Sequence, residues 1–266
     1  MARDRDAAVR DVGNVELDLP GRCRVVGGRR RSWGTHSMSI GVTVSGSLSA
    51  PLRLYLASTS PARLATLRAV GIEPIALAPG VDEEAAVSDA EASLGGPLAA
   101  PDMVQLLARL KAEAVAERAV DASGAPLSGL VLGGDSAFEI GGQIHGKPHH
   151  PEVALERWRA QRGRAGDLHS GHWLIEMREG TAVAAVGASA VARVQFAADI
   201  DDDELEAYVA TGEPLAVAGA FTIDSKGAGY IERIDGDPHA VVGLSIPLLR
   251  TLVRELGYSW HDLWNR

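Results

Sequence analysis

Two serine hydroxyls and an arginine follow a short apolar segment and have the chemistry to bind phosphate. Residues 52–57 have the apolar character of a buried strand, and Ser58, Ser60 and Arg63 come directly after them. Ser60 is a favourable helix N-cap and Pro61 suits the first helical position, so a helix is expected to begin here. The free amide donors and partial positive charge of a helix N-terminus attract phosphate. The segment therefore predicts a phosphate site, although Ser60 and Pro61 also begin ordinary helices.

Asp135 is the carboxylate whose surroundings most favour catalysis. It directly follows residues 129–134, an apolar segment that is expected to form a buried strand ending at this aspartate. A carboxylate there costs desolvation energy unless it has a partner, and strand ends are common catalytic positions in open α/β sheets. Gly133 and Gly134 would let backbone or ligand approach closely. We therefore predict that Asp135 takes part in catalysis.

A second acidic group, Asp82-Glu83-Glu84, is expected to lie in a loop at 81–84. Acidic triplets are usually solvated surface charge. Carboxylate oxygens are also the ligands that Mg²⁺ and Mn²⁺ prefer, so the triplet could instead hold a divalent cation or orient water. Both interpretations stay open at this point.

Two lysines could supply positive charge to a phosphate. Lys147 lies between Gly146 and Pro148, just after a predicted hairpin, where its ammonium could act as a point charge or simply be solvated. Lys111 falls on a predicted long helix, a position that is typical of a surface residue.

Metal and nucleotide motifs of other enzyme classes are missing from the sequence. No histidine pair has the helical H-x-x-x-H spacing backed by an acid, and Pro148 opposes a helix between His145 and His149, so the pattern disfavours zinc. The sequence also contains no Walker-type loop, no G-x-G-x-x-G and no G-x-S-x-G. Kinase, dinucleotide-binding and serine-hydrolase interpretations therefore lack their defining loops.

Helix and strand signals alternate from residue 52 onward and predict an α/β fold, a mixed twisted sheet wrapped by helices. A Gly/Pro/Ala-rich connection is expected between the acidic loop and the long helix. The predicted strands are 52–57, 75–77, 129–135, 138–140, 143–145, 168–177, 183–196 and 230–234. The predicted helices are 61–70, 102–120, 151–162, 202–209 and 247–256.

Composition restricts the classes of partner. The 266 residues carry a net charge of −9, and 46% of them are hydrophobic. Residues 1–50 contain eight arginines and five acids, a balance of +3, so the remainder carries −12. An acidic body disfavours binding to long nucleic acids. No segment approaches the roughly 20 apolar residues of a membrane helix. Cys23 is the only cysteine, which excludes an intrachain disulfide and fits a cytoplasmic protein.

The chain is expected to have three parts. Residues 1–50 show no sustained periodicity and are predicted to be a poorly ordered extension. Residues 51–258 are expected to form the folded domain that carries the motifs above, and 259–266 a tail that either packs or frays.

Together, the serines, the arginine, the carboxylates and the lysines described above make the chain resemble the Maf (septum formation) family of nucleoside triphosphate pyrophosphatases. The resemblance runs from about Leu52 to Gly257. Any single block is weak, but the order and spacing of the set are specific. The blocks are residues 56–63, 81–83, 107–112, 133–136, 146–148, 163–169, 218–221 and 236–244.

The resemblance implies two lobes around a cleft, an architecture related to the inosine triphosphatase group, and usually a homodimer. It implies hydrolysis of a nucleoside triphosphate to a monophosphate and pyrophosphate, assisted by Mg²⁺ or Mn²⁺. Asp135 would be the principal catalytic carboxylate, and Glu83 would assist at the metal or water, with both as candidate metal ligands. The residues that would bind the phosphates are Ser58, Ser60, Arg63, Lys111 and Lys147.

Four positions depart from the family pattern. Ala62 replaces a usual arginine, Ser136 a threonine, Asp224 a glutamine and Ala240 an asparagine. Several of these positions are expected to face the base or the phosphates, so the substrate preference stays open between a pyrimidine triphosphate (dTTP, UTP or CTP) and a modified nucleotide. The alternative function is a nucleotide-binding regulator of division with little catalysis.

Overall fold

The fold is organised around one mixed β-sheet. The computed structural model of the protein describes residues 52–266, and the predicted poorly ordered segment 1–50 lies outside the described residues. Within 52–266 the sheet has seven strands in the order β2-β1-β3-β5-β6-β7, and β4 pairs with the outer part of β3. The strands are β1 Leu54–Ala57, β2 Ile75–Ala76, β3 Gly129–Ile140, β4 Gln143–His145, β5 Ala165–Arg178, β6 Thr181–Phe196 and β7 Ile231–Gly236. β1 runs parallel to both β2 and β3, whereas the other pairs are antiparallel, so the predicted mixed sheet is confirmed.

Helices cover this sheet, as predicted. They are α1 Pro61–Ala69, α2 Glu83–Leu94, α3 Ala100–Ala116, α4 Pro151–Gln161, α5 Asp202–Ala210, α6 Pro238–Val242 and α7 Ile246–Glu255. Five of the seven were predicted to within a few residues, and α2 and α6 were not predicted. None of the helices in residues 52–266 has the length and apolar character needed to span a membrane.

The prediction of a loop at 81–84 followed by an irregular connection is wrong. Asp82 is the N-cap of α2, and its carboxylate accepts a hydrogen bond from the amide of Ala85 at 3.0 Å. Gly95 ends the helix in the left-handed conformation. None of the α2 residues is fully buried, so the helix offers only a weak apolar face for a sequence pattern to detect. Its alanines and glutamates have high intrinsic helix propensity, and they support the helix instead.

The predicted end of a strand at Asp135 is also wrong, because β3 continues to Ile140. β5 pairs with β3 from Gly129 to Glu139 and so supports the whole length. The strand that does end here is the parallel neighbour β1, whose last residue, Ala57, lies opposite Gly133. Beyond Gly133, residues 134–137 of β3 have a strand partner on the β5 side only, because β4 begins to pair at Phe138.

Buried apolar residues form separate clusters at the two ends of the long strands. At the β1 end, one cluster lies against α1 and α7 around Leu56 and Leu132, and another lies under α3 around Val131. At the other end, an aromatic cluster around Phe138 and Trp158 includes edge-to-face ring pairs. Because the uncovered stretch 134–137 lies between these regions, the fold presents the cleft between two lobes that was expected.

Glycines allow α3 to lie unusually close to the sheet. A Cβ atom on Gly133 would collide with the carbonyl oxygen of Ala108, and one on Gly171 would collide with that of Val104. These contacts confirm that Gly133 permits close backbone approach, here by a helix. They also place the α3 residue Lys111 beside β3.

The C-terminal segment packs against the domain. Residues Trp260–Leu263 form a 3₁₀ turn whose Leu263 is buried in the cluster around Leu56. The amide of Leu52 donates to the carbonyl of Asp262 at 2.7 Å, and Asn265 accepts from the amide of Glu73 at 2.6 Å. Of the two alternatives for this segment, the structure shows packing.

Candidate active site

A buried ammonium holds two of the predicted carboxylates together. Nζ of Lys111 lies 2.6 Å from Oδ1 of Asp135 and 2.8 Å from Oε1 of Glu83. The side chains of Lys111 and Asp135 are 7% and 12% exposed, whereas that of Glu83 is 50% exposed and opens the site to solvent. The surface position expected for Lys111 from its residue type is wrong, because α3 turns this side chain inward against β3.

Burial determines the protonation behaviour of Asp135. Loss of solvation raises the pKa of its carboxyl, and the positive charges of Lys111 and Arg63 act in the opposite direction. A carboxylate with a raised pKa is a stronger base, and a general base works best when its pKa lies closer to the working pH. Asp135 therefore has the environment expected of a group that accepts a proton from water.

Arg63 is fixed by three hydrogen bonds from its guanidinium. Nε donates to the carbonyl of Gly243 at 2.8 Å, Nη1 to Oγ of Ser58 at 3.2 Å, and Nη2 to Oγ of Ser136 at 2.9 Å. Burial lowers the pKa of Arg63, while the charges of Asp135 and Glu83 raise it. An arginine stays protonated despite such a shift, so a fixed positive charge lies beside the carboxylates.

The turn between β1 and α1 carries both serines, and α1 begins at Pro61 as predicted. Oγ of Ser60 caps α1 by accepting from the amide of Arg63 at 3.4 Å. Oγ of Ser58 accepts from the amide of Ser60 at 3.2 Å as well as from Arg63. The hydroxyl of Ser60 therefore performs the ordinary capping role, and that of Ser58 orients the arginine.

Consecutive residues of β3 bring these groups to one place. Side chains alternate between the two faces of a strand, so Asp135 points toward α3 and Lys111 while Ser136 points toward Arg63. Both lie in the stretch 134–137 that β1 leaves uncovered. A ligand that approaches beyond the end of β1 can therefore reach the carboxylates and the guanidinium together.

The structure links six of the seven predicted site residues and leaves Lys147 apart. Lys147 is exposed in the loop after β4, and within residues 52–266 it makes no ion pair and no side-chain hydrogen bond. The carbonyl of the preceding Gly146 accepts from Arg157 at 2.6 Å, which ties this loop to α4. The role of Lys147 stays a prediction.

Several residues around Arg63 were not predicted as site residues. Ser136, Ser170 and Gly243 belong to its hydrogen-bond network, and His172 adjoins it. Ser136 could have been found, because it directly follows Asp135. Gly243 is separated from Arg63 by 180 residues, and no local pattern in the sequence connects them.

The departures from the family pattern lie in different surroundings. Ala62 is half-buried in the first turn of α1, and Asp224 is exposed. Ala240 is buried, and its carbonyl accepts from Oγ of Ser170 at 2.8 Å.

The donor set fits a divalent cation that shares its ligands with a substrate. The described residues contain no group of three or more His, Cys, Asp or Glu side chains arranged for a metal ion. Asp135 and Glu83 converge on one cation, Lys111, so their oxygens already lie close together. Mg²⁺ is commonly bound by one or two carboxylates together with substrate phosphates and water. These two carboxylates are sufficient for that kind of site.

Comparison with known proteins agrees with this chemistry. A family model described as "Maf-like protein" matches residues 53–256. A Leifsonia xyli subsp. xyli protein named nucleoside triphosphate pyrophosphatase is 65% identical over 215 residues, which cover 81% of this chain and 98% of that relative. A Salinispora tropica relative of the same name is 51% identical over 223 residues, or 84% and 91% of the two chains. A third, from Corynebacterium jeikeium, is 47% identical over 213 residues, or 80% and 100%.

Proposed function

The chain belongs to the family of Maf-like proteins, and from that premise we propose that it hydrolyses a nucleoside triphosphate to the monophosphate and pyrophosphate. The observation that carries the proposal is the buried Asp135 carboxylate, which lies 2.6 Å from Nζ of Lys111. The next residue, Ser136, lies in the same uncovered stretch and accepts a hydrogen bond from Arg63. A base beside fixed positive charges is the arrangement that attack of water on a polyphosphate requires. The names of the relatives support the same reaction.

In the proposed reaction, Asp135 accepts a proton from the attacking water. The water oxygen forms a bond to the α-phosphorus, and the bond from that phosphorus to the oxygen bridging toward the β-phosphate breaks. Pyrophosphate leaves with the electron pair of that bond. Arg63, Ser58 and the N-terminus of α1, where Ser60 is the cap, bind the phosphates, and Lys111 and Lys147 add positive charge. Glu83 orients the water or assists at the metal.

A divalent cation, Mg²⁺ or Mn²⁺, is part of this proposal. Asp135 and Glu83 would hold it, because theirs are the two carboxylates that converge at the site. When bound, such an ion supplies positive charge to the phosphate oxygens. Lys111 then keeps the two carboxylates close together before the substrate arrives.

The proposed substrates are the pyrimidine triphosphates dTTP, UTP and CTP, or a triphosphate with a modified base. By hydrolysing such nucleotides, the enzyme would have a house-cleaning role in the nucleotide pool. It would act as a homodimer in the cytoplasm. Ala62, Asp224 and Ala240 are the positions at which the choice of base would differ from relatives. The exposed carboxylate of Asp224 in place of an amide adds a negative charge there.

A panel of ordinary and modified triphosphates tests this function through pyrophosphate release with Mg²⁺ or Mn²⁺. We expect the wild-type protein to release one pyrophosphate for each monophosphate formed. Asp135→Asn is expected to lower turnover by about 10²–10⁴-fold, the usual contribution of a positioned base. Unchanged turnover in Asp135→Asn would contradict the mechanism. Tight nucleotide binding with no hydrolysis across the panel would favour the alternative, a nucleotide-binding regulator of cell division, to which the loss of the usual arginine at Ala62 also points.

A further inference from the structure

We propose that His172 is a positioning residue for phosphate binding, because it holds the turn after α6 in the place from which that turn orients Arg63. This inference rests on the proposed function, since the orientation of Arg63 matters to the reaction only if phosphate binds there. His172 and Ser170 are neighbours on the same face of β5, and both are fully buried. Neither belongs to the residues assigned above to the substrate or the metal.

The two ring nitrogens of His172 have different partners. The backbone N–H of Ser245 lies 2.9 Å from Nε2, and the carbonyl of Ser170 lies 3.1 Å from Nδ1. A backbone amide can only donate, so Nε2 must accept and the ring proton must be on Nδ1, which donates to the Ser170 carbonyl. Burial and the charge of Arg63 lower the pKa of His172 to about 4, so the ring is neutral near pH 7, as this pairing requires.

Ser170 holds the other end of the same segment. Its hydroxyl donates to the carbonyl of Ala240 at 2.8 Å, which uses its only proton. The hydroxyl of Ser136, 2.9 Å away, must therefore donate to Ser170, and it accepts in turn from Nη2 of Arg63. A chain of hydrogen bonds with one direction thus runs from Arg63 through two serines to Ala240.

The segment 240–245 is fixed at both ends, and its middle orients Arg63. β5 holds the carbonyl of Ala240 through Ser170 and the amide of Ser245 through His172. Between them, Gly243 has a φ of 109°, a conformation that favours glycine, and its carbonyl accepts from Nε of Arg63 at 2.8 Å. The position of that carbonyl therefore depends on the two β5 side chains.

The hydrogen-bond count of Arg63 shows why this position matters. A guanidinium has five N–H donors, and Arg63 uses one on each of its three nitrogens within the protein. Two donors remain, one on each terminal nitrogen. Two N–H groups from one guanidinium can bind a phosphate in bidentate fashion, which requires a fixed orientation of the plane. Loss of the Gly243 contact would let that plane rotate.

A double-mutant cycle between His172 and Arg63 tests the inference. The readouts are kcat and KM for pyrophosphate release and, independently of turnover, the Kd of inorganic triphosphate. We expect His172→Leu to lower kcat/KM by about tenfold in the wild-type background and by less than about twofold in Arg63→Ala, a coupling typical of networked residues. His172→Gln is expected to retain most activity, because its amide oxygen can accept from Ser245. If His172→Leu does not fold, Ser170→Ala combined with Arg63→Ala forms a second double-mutant cycle, because Ser170 holds the other end of the segment 240–245.

Met177→Ala is the matched control. Met177 is buried on the same strand, but it packs in the cluster under α3 and makes no hydrogen bond to the segment 240–245. We expect Met177→Ala to lower the melting temperature and to change kcat/KM by the same factor in the wild-type and Arg63→Ala backgrounds. Equal effects of His172→Leu in the two backgrounds would overturn the positioning role. The Kd of inorganic triphosphate can show the predicted coupling between His172 and Arg63 even if the wild-type protein releases no pyrophosphate. That result would contradict the proposed function alone.

Discussion

The ammonium of Lys111 lies 2.6 Å from the carboxylate of Asp135 where both side chains are almost completely buried. Removing one partner of a buried ion pair leaves an uncompensated charge, which typically costs about 3–5 kcal/mol. We therefore expect Lys111→Met to destabilise the fold by about 3 kcal/mol and to abolish turnover. Chemical denaturation with parallel pyrophosphate assays measures both effects.

The double variant Lys111→Met/Asp135→Asn separates the two effects. With the carboxylate neutralised, no buried charge is left unpaired, so most of the lost stability should return while turnover stays low. A double variant as unstable as Lys111→Met would show that the lysine stabilises the fold through its packing rather than through its charge.

Glu83 and Glu84 are neighbours in α2 with different surroundings, and their variants should behave differently. Glu83 contacts Lys111 at 2.8 Å, whereas Glu84 is exposed and takes part in no ion pair among the described residues. We expect Glu83→Gln to raise the Mg²⁺ concentration for half-maximal activity by about tenfold or more, the equivalent of one charge-assisted contact. Metal titration of Glu84→Gln supplies the control. Equal shifts in the two variants would contradict the assignment of Glu83.

Gly133→Ala should disturb the site without changing any polar group. The new Cβ atom would collide with the carbonyl oxygen of Ala108, so α3 must move away from β3 and carry Lys111 with it. Overpacking of this kind typically costs about 1–3 kcal/mol. Activity is expected to fall along with the melting temperature. Gly146→Ala is the control, because a Cβ atom on Gly146 meets nothing within 4 Å, and its melting temperature should not change.

His172 gives the stability of the fold a dependence on pH. Its pKa is lowered to about 4 in the folded protein from 6.5, mainly by burial. Between these values the unfolded chain binds more protons than the folded one, so the free energy of unfolding decreases as the pH falls from 6.5 to 4. The contribution is at most on the order of 3 kcal/mol. Thermal melts of His172→Gln, which has no titrating ring, should fall less steeply over this interval. Parallel curves for the two proteins would contradict the prediction.

The local parts of the site could be predicted from the sequence, and the long-range parts could not. Residues 52–63 specify a strand, a polar turn and a capped helix through their own order, so the positions of Ser58, Ser60 and Arg63 in the fold could be predicted directly. Lys111 shows the limit, because an isolated lysine on a helix is usually at the surface. Only the close approach of α3 over Gly133 and Gly171 explains why this lysine is buried.

The errors in the predicted fold have related causes. α2 has no fully buried residue, so its sequence carries only a weak periodic signal. β3 was expected to stop at Asp135 because its apolar residues become less regular there, but the backbone pairing with β5 continues through Glu139. Pairing of the main chain depends on the neighbouring strand, and that neighbour begins 25 residues after β3 ends. The family resemblance supplied the correct architecture where local patterns were insufficient.

The three long strands β3, β5 and β6 also determine how the molecule can deform. Each extends continuously from the cluster around Val131 or the cluster around Leu56 to the aromatic cluster, so within residues 52–266 three unbroken strands join the two lobes. Rotation of one lobe relative to the other must be absorbed as torsion distributed along hydrogen-bonded strands, which resist it elastically. These strands therefore favour a small twist distributed along their length over bending at a single hinge. Ligands of different size are then expected to be accommodated by the turns at the rim of the cleft rather than by the strand that carries Asp135.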